Sequence, residues 1–178
     1  MQIHLTGFGP FGDNTTNPSG EIASAMDGTI LRVSYRTVDE FCGEGRAGFF
    51  LCLGLHAKAT QPRLEVCAYN RASPATPDVD GAVFEKNHIV EDGDDSLGTK
   101  VDIPELFAHL INRGFPCSIS DNAGSYLCNY TYYKALDKTN GNALFIHLPP
   151  ESEDWPLSRM RAFVEEVRGW VVANHKSE

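Results

Sequence analysis

The chain is poor in basic charge: 15 Lys and Arg against 24 Asp and Glu leave a formal net charge of −9 over 178 residues. Gripping a phosphate backbone requires a basic face that displaces counterions, so no nucleic-acid partner is expected. Long apolar runs are missing too. No stretch approaches the roughly 20 apolar residues of a membrane helix, and Met1-Gln2-Ile3-His4-Leu5-Thr6 lacks the basic segment and apolar run of a secretion signal. A cytoplasmic protein with no membrane partner is therefore expected. The five cysteines (Cys42, Cys52, Cys67, Cys117, Cys128) are odd in number and scattered, without a C-x-x-C pair, which argues against a disulfide scaffold and a zinc site. Repeats and low-complexity tracts are absent. What is present, 42% hydrophobic content in the length of one ordinary domain, predicts that residues 1–178 share a single core.

Short apolar runs bounded by Gly, Pro or Asn alternate with helical patterns, the signature of an α/β domain with a largely parallel sheet. Strands are expected at Gln2–Thr6, Ile30–Tyr35, Phe49–Leu53, Leu64–Tyr69, Cys117–Ser120 and Ala143–His147. Asn17-Pro18-Ser19 predicts a turn and then a helix capped by the Ser19 hydroxyl and stopped at Gly28. Asp102 followed by Glu105 resembles a capping box, with Gly114 as the stop. Leu157, Met160, Val164, Val167 and Val171 recur at three- and four-residue steps, so this stripe should pack on the sheet while Arg159, Arg161, Glu165 and Arg168 face water. Ala72–Gly98, rich in Pro, Asp and Gly, reads as a long surface loop, either disordered or functional, with a lid over an active site as one such use.

Four segments carry candidate chemistry. Gly7-Phe8-Gly9-Pro10-Phe11-Gly12 satisfies the G-x-G-x-x-G spacing of a dinucleotide site. However, Asp13-Asn14-Thr15-Thr16-Asn17-Pro18 continues as turn residues where such a site needs a helix N-terminus for the pyrophosphate. The loop instead presents Phe8 and Phe11, either as core staples or as apolar walls of a small-molecule pocket. In Asp121-Asn122-Ala123-Gly124-Ser125-Tyr126-Leu127-Cys128-Asn129-Tyr130, Cys128 follows a strand and a glycine turn and falls in the first turn of a helix reaching about Leu136. There the helix dipole favours the thiolate, and the Cys128 amide can face a developing oxyanion; the alternative is a buried structural thiol. His147, in Phe145-Ile146-His147-Leu148-Pro149-Pro150, ends an apolar strand where parallel sheets place their chemistry, as a base or as a hydrogen-bonded structural residue. Glu65 shares one side of its strand with Cys67 and Tyr69, and a carboxylate there either pairs with a group such as an imidazolium or reaches solvent.

In this order the four segments resemble the pyroglutamyl peptidase I (pyrrolidone-carboxylate peptidase) family of cysteine peptidases. Thr6-Gly7-Phe8-Gly9-Pro10-Phe11-Gly12 and Asn17-Pro18-Ser19 match its T-G-F-x-P-F-G loop and N-P-S. Glu65-Val66-Cys67-Ala68-Tyr69-Asn70 and Pro77-Asp78-Val79-Asp80-Gly81 are similar to its E-R-V-A-I-N and P-D-x-x-G. Ala123 to Asn129 is similar to A-G-(T)-(F)-V-C-N, and Phe145 to Pro149 to F-I-H-(V/I)-P. The resemblance implies a three-layer α/β/α fold with a largely parallel mixed central sheet, no cofactor and no metal. It also implies hydrolysis of amino-terminal 5-oxoproline (pyroglutamate) from peptides, and members often self-associate into homo-oligomers. Cys128, His147 and Glu65 fall on the family's triad as nucleophile, base and orienting carboxylate. Phe8, Phe11, Tyr126 and Leu127 become the candidate walls of the substrate pocket, with Tyr126 at a position that is usually phenylalanine.

Three departures mark a divergent member. An active-site arginine of the family aligns with Ala75, and the arginine after the triad glutamate is replaced by Val66. The link from Tyr35 to Phe49 is short, so a helix that relatives place there is expected to be truncated or absent. The competing expectation is a catalytically weak or inactive homologue that acts as a binding protein.

Overall fold

The computed structural model describes residues 1–12, 15–43, 45, 47–73 and 75–175, so Asp13 and Asn14 of the expected turn and Pro74 of the expected loop lie outside the described residues. The elements run β1 (Ile3–Phe8), α1 (Pro18–Ala25), β2 (Thr29–Leu31), α2 (Tyr35–Gly43), β3 (Phe49–Leu55), β4 (Arg63–Glu65), β5 (Cys67–Tyr69) and β6 (Ser96–Gly98). They continue with α3 (Ile103–Asn112), β7 (Ser118–Ser120), α4 (Leu127–Thr139), β8 (Ala143–Leu148) and α5 (Leu157–Asn174).

Six strands form one sheet in the order β2-β1-β3-β8-β4-β7, and β5 pairs with β6 in a separate antiparallel ribbon. All neighbours in the large sheet are parallel except β4 and β8. Alternation along the central strands then decides the layers. On β3, Phe49, Leu51 and Leu53 enter one core with α1, α3 and α5, while Phe50 and Cys52 enter the other with α2 and α4. On β8, Leu144, Ile146 and Leu148 take the first core and Ala143 and Phe145 the second. The odd-numbered His147 therefore rises on the α2/α4 face. The same logic sends Leu64 into the first core and Arg63 and Glu65 toward α4. The result is the expected α/β/α sandwich with a mostly parallel mixed sheet.

Several local expectations are corrected. Asn17, not Ser19, caps α1: its side chain accepts from the Ser19 amide, and Pro18 takes the first helical position, where a missing N–H costs nothing. Ser19 turns inward, where its hydroxyl accepts from the Phe8 amide and donates to Asn17 Oδ1. The run Ile30–Tyr35 is a strand only to Leu31, because α2 begins at Tyr35. That helix is nine residues long and buries Tyr35, Val38, Phe41 and Cys42, so of the two expectations for this link, a truncated helix or none, the second does not hold. The expected strand Leu64–Tyr69 breaks at Val66, and its second half joins β6.

Residues 72–98 are also anchored. Buried Asp78 accepts from the amides of Tyr35, Asp80 and Ala82, each at 2.9 Å, and Phe84 and Ile89 enter the α2/α4 core. Two expectations hold: Asp102 caps α3 through the Glu105 amide at 3.0 Å, and α5 buries Met160, Val164, Val167 and Val171. Arg161, Glu165 and Arg168 face solvent, whereas Arg159 folds over the Trp155 ring. Among the described residues no helix is long and apolar enough to cross a membrane.

Candidate active site

Cys128 is presented by the turn into α4. Gly124 adopts φ +87°, a left-handed conformation that side chains disfavour, and redirects the chain after β7. Tyr126 follows as the N-cap without contributing a side-chain cap, and Cys128 is the second residue of the helix. First-turn amides have no intrahelical acceptor, so the positive end of α4 opens beside the sulfur. The thiol is half-buried over β3: a Cβ added to Gly54 would lie 3.0 Å from the sulfur and 2.7 Å from the Phe145 ring. Only glycine at 54 lets the sulfur come this close to the sheet.

Glu65 is wholly buried, and its Oε1 lies 2.7 Å from Nδ1 of His147, itself 3% exposed. Strand register explains the pairing. Across the antiparallel β4–β8 ladder Glu65 stands opposite Phe145, which makes His147 its diagonal neighbour on the same face. The Tyr132 hydroxyl, at 2.8 Å, donates to the Glu65 backbone carbonyl. Among the described residues Glu65 Oε2 has no hydrogen-bond partner, so the side-chain pairing of this carboxylate there is with His147.

The imidazole also contacts Cys128. Burial alone would push His147 down, but the charge and hydrogen bond of Cys128, followed by the hydrogen bond and charge of Glu65, outweigh it and raise the ring to about 9. With Nδ1 engaged by Glu65, Nε2 is left to the sulfur. The three candidates from distant segments thus converge: thiol, imidazole and carboxylate stand in sequence across β3, β8 and β4. Chemically, such a chain can move a proton off a sulfur and hold the resulting imidazolium against a buried anion. Among the described residues no three His, Cys, Asp or Glu side chains are grouped to hold a metal ion.

The candidate pocket residues divide. Phe8 and Leu127 are buried at 4% and 1% exposure, while Phe11 and Tyr126 pack half-buried against the same cluster and keep ring surface outside. The Tyr126 hydroxyl, absent from the usual phenylalanine, donates to the Pro77 carbonyl at 2.9 Å. It ties the turn before Cys128 to the 72–98 segment. Ala75 is exposed and Val66 is half-buried against the α1/α3/α5 core.

Two supporting residues escaped sequence reading. Buried Asn129, next to Cys128, accepts from the Tyr69 amide at 2.9 Å and donates to the carbonyls of Tyr69 and Arg71 at 2.8 Å each, bolting α4 to β5. Gly54 is the other. An isolated glycine inside the apolar run Phe49–Leu55 was its available signal, since such glycines mark close approach of another group.

Comparison with known proteins agrees with this architecture. The sequence profile of the pyroglutamyl peptidase family matches residues 1–153. Pyroglutamyl-peptidase 1 of Mus musculus is 28% identical over 94% of this chain and 90% of the mouse protein. A pyrrolidone-carboxylate peptidase of Oceanobacillus iheyensis is 30% identical over 83% of each chain. A mutant pyrrolidone carboxyl peptidase from Pyrococcus furiosus superposes with a TM-score of 0.89 over 97% of this chain and 99% of that one, at 23% identity, and so shares the fold. The resemblance carried by the four motifs is thereby borne out across most of the sequence, and the chain belongs to the pyroglutamyl peptidase family.

Proposed function

We propose that this chain is a cysteine exopeptidase that removes N-terminal 5-oxoproline from peptides, with Cys128 as nucleophile, His147 as general base and then acid, and Glu65 as the orienting residue. One observation carries the reading: a wholly buried carboxylate bonded to Nδ1 of an imidazole that also contacts a thiol at a helix N-terminus.

His147 takes the Cys128 proton, and the thiolate attacks the carbonyl carbon of the amide that joins 5-oxoproline to the next residue. The tetrahedral oxyanion forms beside the first-turn amides of α4, where the Cys128 N–H is a donor. The C–N bond breaks, the imidazolium gives its proton to the departing amine, and a thioester remains. Water, deprotonated by His147, releases 5-oxoproline and restores the thiol.

Glu65 fixes the tautomer and stabilises the imidazolium throughout. The rings of Phe11 and Tyr126, backed by Phe8 and Leu127, provide the apolar walls for a flat uncharged lactam. With its hydroxyl engaged by Pro77, Tyr126 offers the substrate its ring rather than a donor. Cys52, Cys67, Cys117 and Cys128 form no disulfide, which suits work in the reducing cytoplasm.

A chromogenic 5-oxoprolyl anilide and iodoacetamide test the reading together. The wild type should cleave the anilide and alkylate fastest at Cys128. Cys128→Ala should lose at least about 10³-fold in kcat/KM while unfolding at the same denaturant concentration. Full activity in that variant, or a wild type that neither cleaves nor alkylates, overturns the assignment; the second outcome leaves the binding homologue.

A further inference from the structure

The antiparallel β4–β8 ladder places Arg63 directly across from His147. Because Leu64 enters the first core, Arg63 projects with Glu65 toward the α4 face, beside the imidazole. His56 follows the end of β3, its amide bonded to the Leu148 carbonyl at 2.9 Å. Its ring stands edge-on to His147 with centroids 5.5 Å apart, and Arg63 Nη1 lies 3.4 Å from His56 Nε2.

This histidine does not neutralise the guanidinium. Burial, then the charges of Arg63 and His147, push the His56 pKa down, which leaves the ring uncharged at neutral pH. The Lys58 amide, 3.3 Å from His56 Nδ1, and Arg63 Nη1 can only donate, so the neutral ring accepts from one of them and keeps its proton on the other nitrogen. The imidazole and the guanidinium stand 3.4 Å apart. They border a cavity of about 520 Å³ that His56, Arg63 and His147 share with residues 118–124.

Among the described residues Arg63 forms no ion pair, and the only carboxylate lining this cavity, Asp121, is exposed and not paired with it. A half-buried guanidinium without an ion-pair partner among the described residues, next to an uncharged imidazole and an open cavity, is a site for an anionic oxygen.

Its position decides which part of a substrate that anion belongs to. When His147 hands its proton to the leaving amine, the leaving peptide must pass the imidazole. In sheet order the sulfur lies over Gly54 on β3, His147 is on β8, and Arg63 on β4 comes next, with β7 beyond. Phe8 on β1 lies on the opposite side of β3. The cavity is thus where the residue after the scissile bond arrives.

We propose that Arg63 and His56 form a carboxylate-binding subsite for the leaving peptide. It selects substrates whose residue after 5-oxoproline bears a carboxylate, either as an acidic side chain or as the C-terminus of a dipeptide. This inference rests on the peptidase reading above and deepens it.

The test compares matched substrates on the wild type and on Arg63→Gln. One arm sets 5-oxoprolyl-alanine against its C-terminal amide; the other sets 5-oxoprolyl-glutamyl amide against 5-oxoprolyl-glutaminyl amide. The wild type should favour the carboxylate by about tenfold in kcat/KM in at least one arm, the effect expected of a charge-assisted contact, and the arm identifies its source. In Arg63→Gln that ratio should fall toward one, and His56→Ala should reduce it. A wild-type ratio near one in both arms overturns the subsite while cleavage of the amides leaves the peptidase reading standing. So does a ratio that survives Arg63→Gln. A wild type that cleaves none of the four overturns both.

Discussion

Leu64 and Glu65 are neighbours on β4 and both wholly buried, yet they enter opposite layers of the molecule. Leu64 joins Leu51, Ile146 and the helices α3 and α5, in a cluster made almost entirely of aliphatic and aromatic side chains. Glu65 enters the layer shared with α2 and α4, where tyrosines carry much of the packing. There the rings of Tyr130, Tyr132 and Tyr133 fill volume while their hydroxyls reach Asp39, the Glu65 carbonyl and the Asp94 carbonyl at 2.8, 2.8 and 2.6 Å. One face is held by non-directional burial and the other by directional bonds. Directional bonds hold a carboxylate, an imidazole and a thiol in one geometry, and apolar burial alone would not.

The largest effect expected in breaking this contrast comes from Glu65→Gln. It keeps the shape, removes the charge facing His147, and should lower kcat by about 10³-fold. The same change should alter a pH signature. In the wild type His147 is raised from 6.5 to about 9, so its contribution to stability is complete below pH 6.5 and lost as pH rises through about 9. Losing one of the causes of that rise, Glu65→Gln should move the upper end of the window down. An imidazole titration by NMR, with urea unfolding across the same range, reads both, and an unmoved titration would break the proposed link between carboxylate and ring.

Next in size is Leu64→Ala, one residue away on the other face. It should cost about 2–5 kcal/mol in unfolding free energy while leaving kcat of the folded fraction within a few-fold. A large fall in kcat with little loss of stability would mean that the two faces do not divide the work as described. Smallest is Tyr126→Phe, which removes the bond to Pro77 and should cost about 1 kcal/mol or less. Faster proteolytic nicking within residues 72–98 would sharpen the view that this hydroxyl holds the segment to the turn before Cys128.

How far the sequence alone could reach differs from element to element. The capping box at Asp102 and the stripe of α5 were legible because each depends on residues within a few positions of one another. The cap of α1 lies two residues before the one the sequence suggests, since Asn17 and Ser19 are both good caps and the choice depends on Ser19 being drawn inward to the Phe8 amide. The length of the link left α2 open between a truncated helix and none, whereas Tyr35, Val38, Phe41 and Cys42 carry a helical spacing and are buried. The break at Val66 was invisible because both halves of that run satisfy a strand pattern and only partners far along the chain, β7 and β6, separate them.

By itself, then, the sequence determined the α/β alternation, the caps that depend on neighbours, and three candidate reactive side chains in recognisable segments. Only the tertiary structure decided that these three meet, that Gly54 and Asn129 serve them, and that Arg63 and His56 border the same imidazole. The reason is physical: helices and their caps depend on interactions across a few residues. Strand register and the order of strands depend on partners dozens of residues away, and they alone determine which side chains share a face.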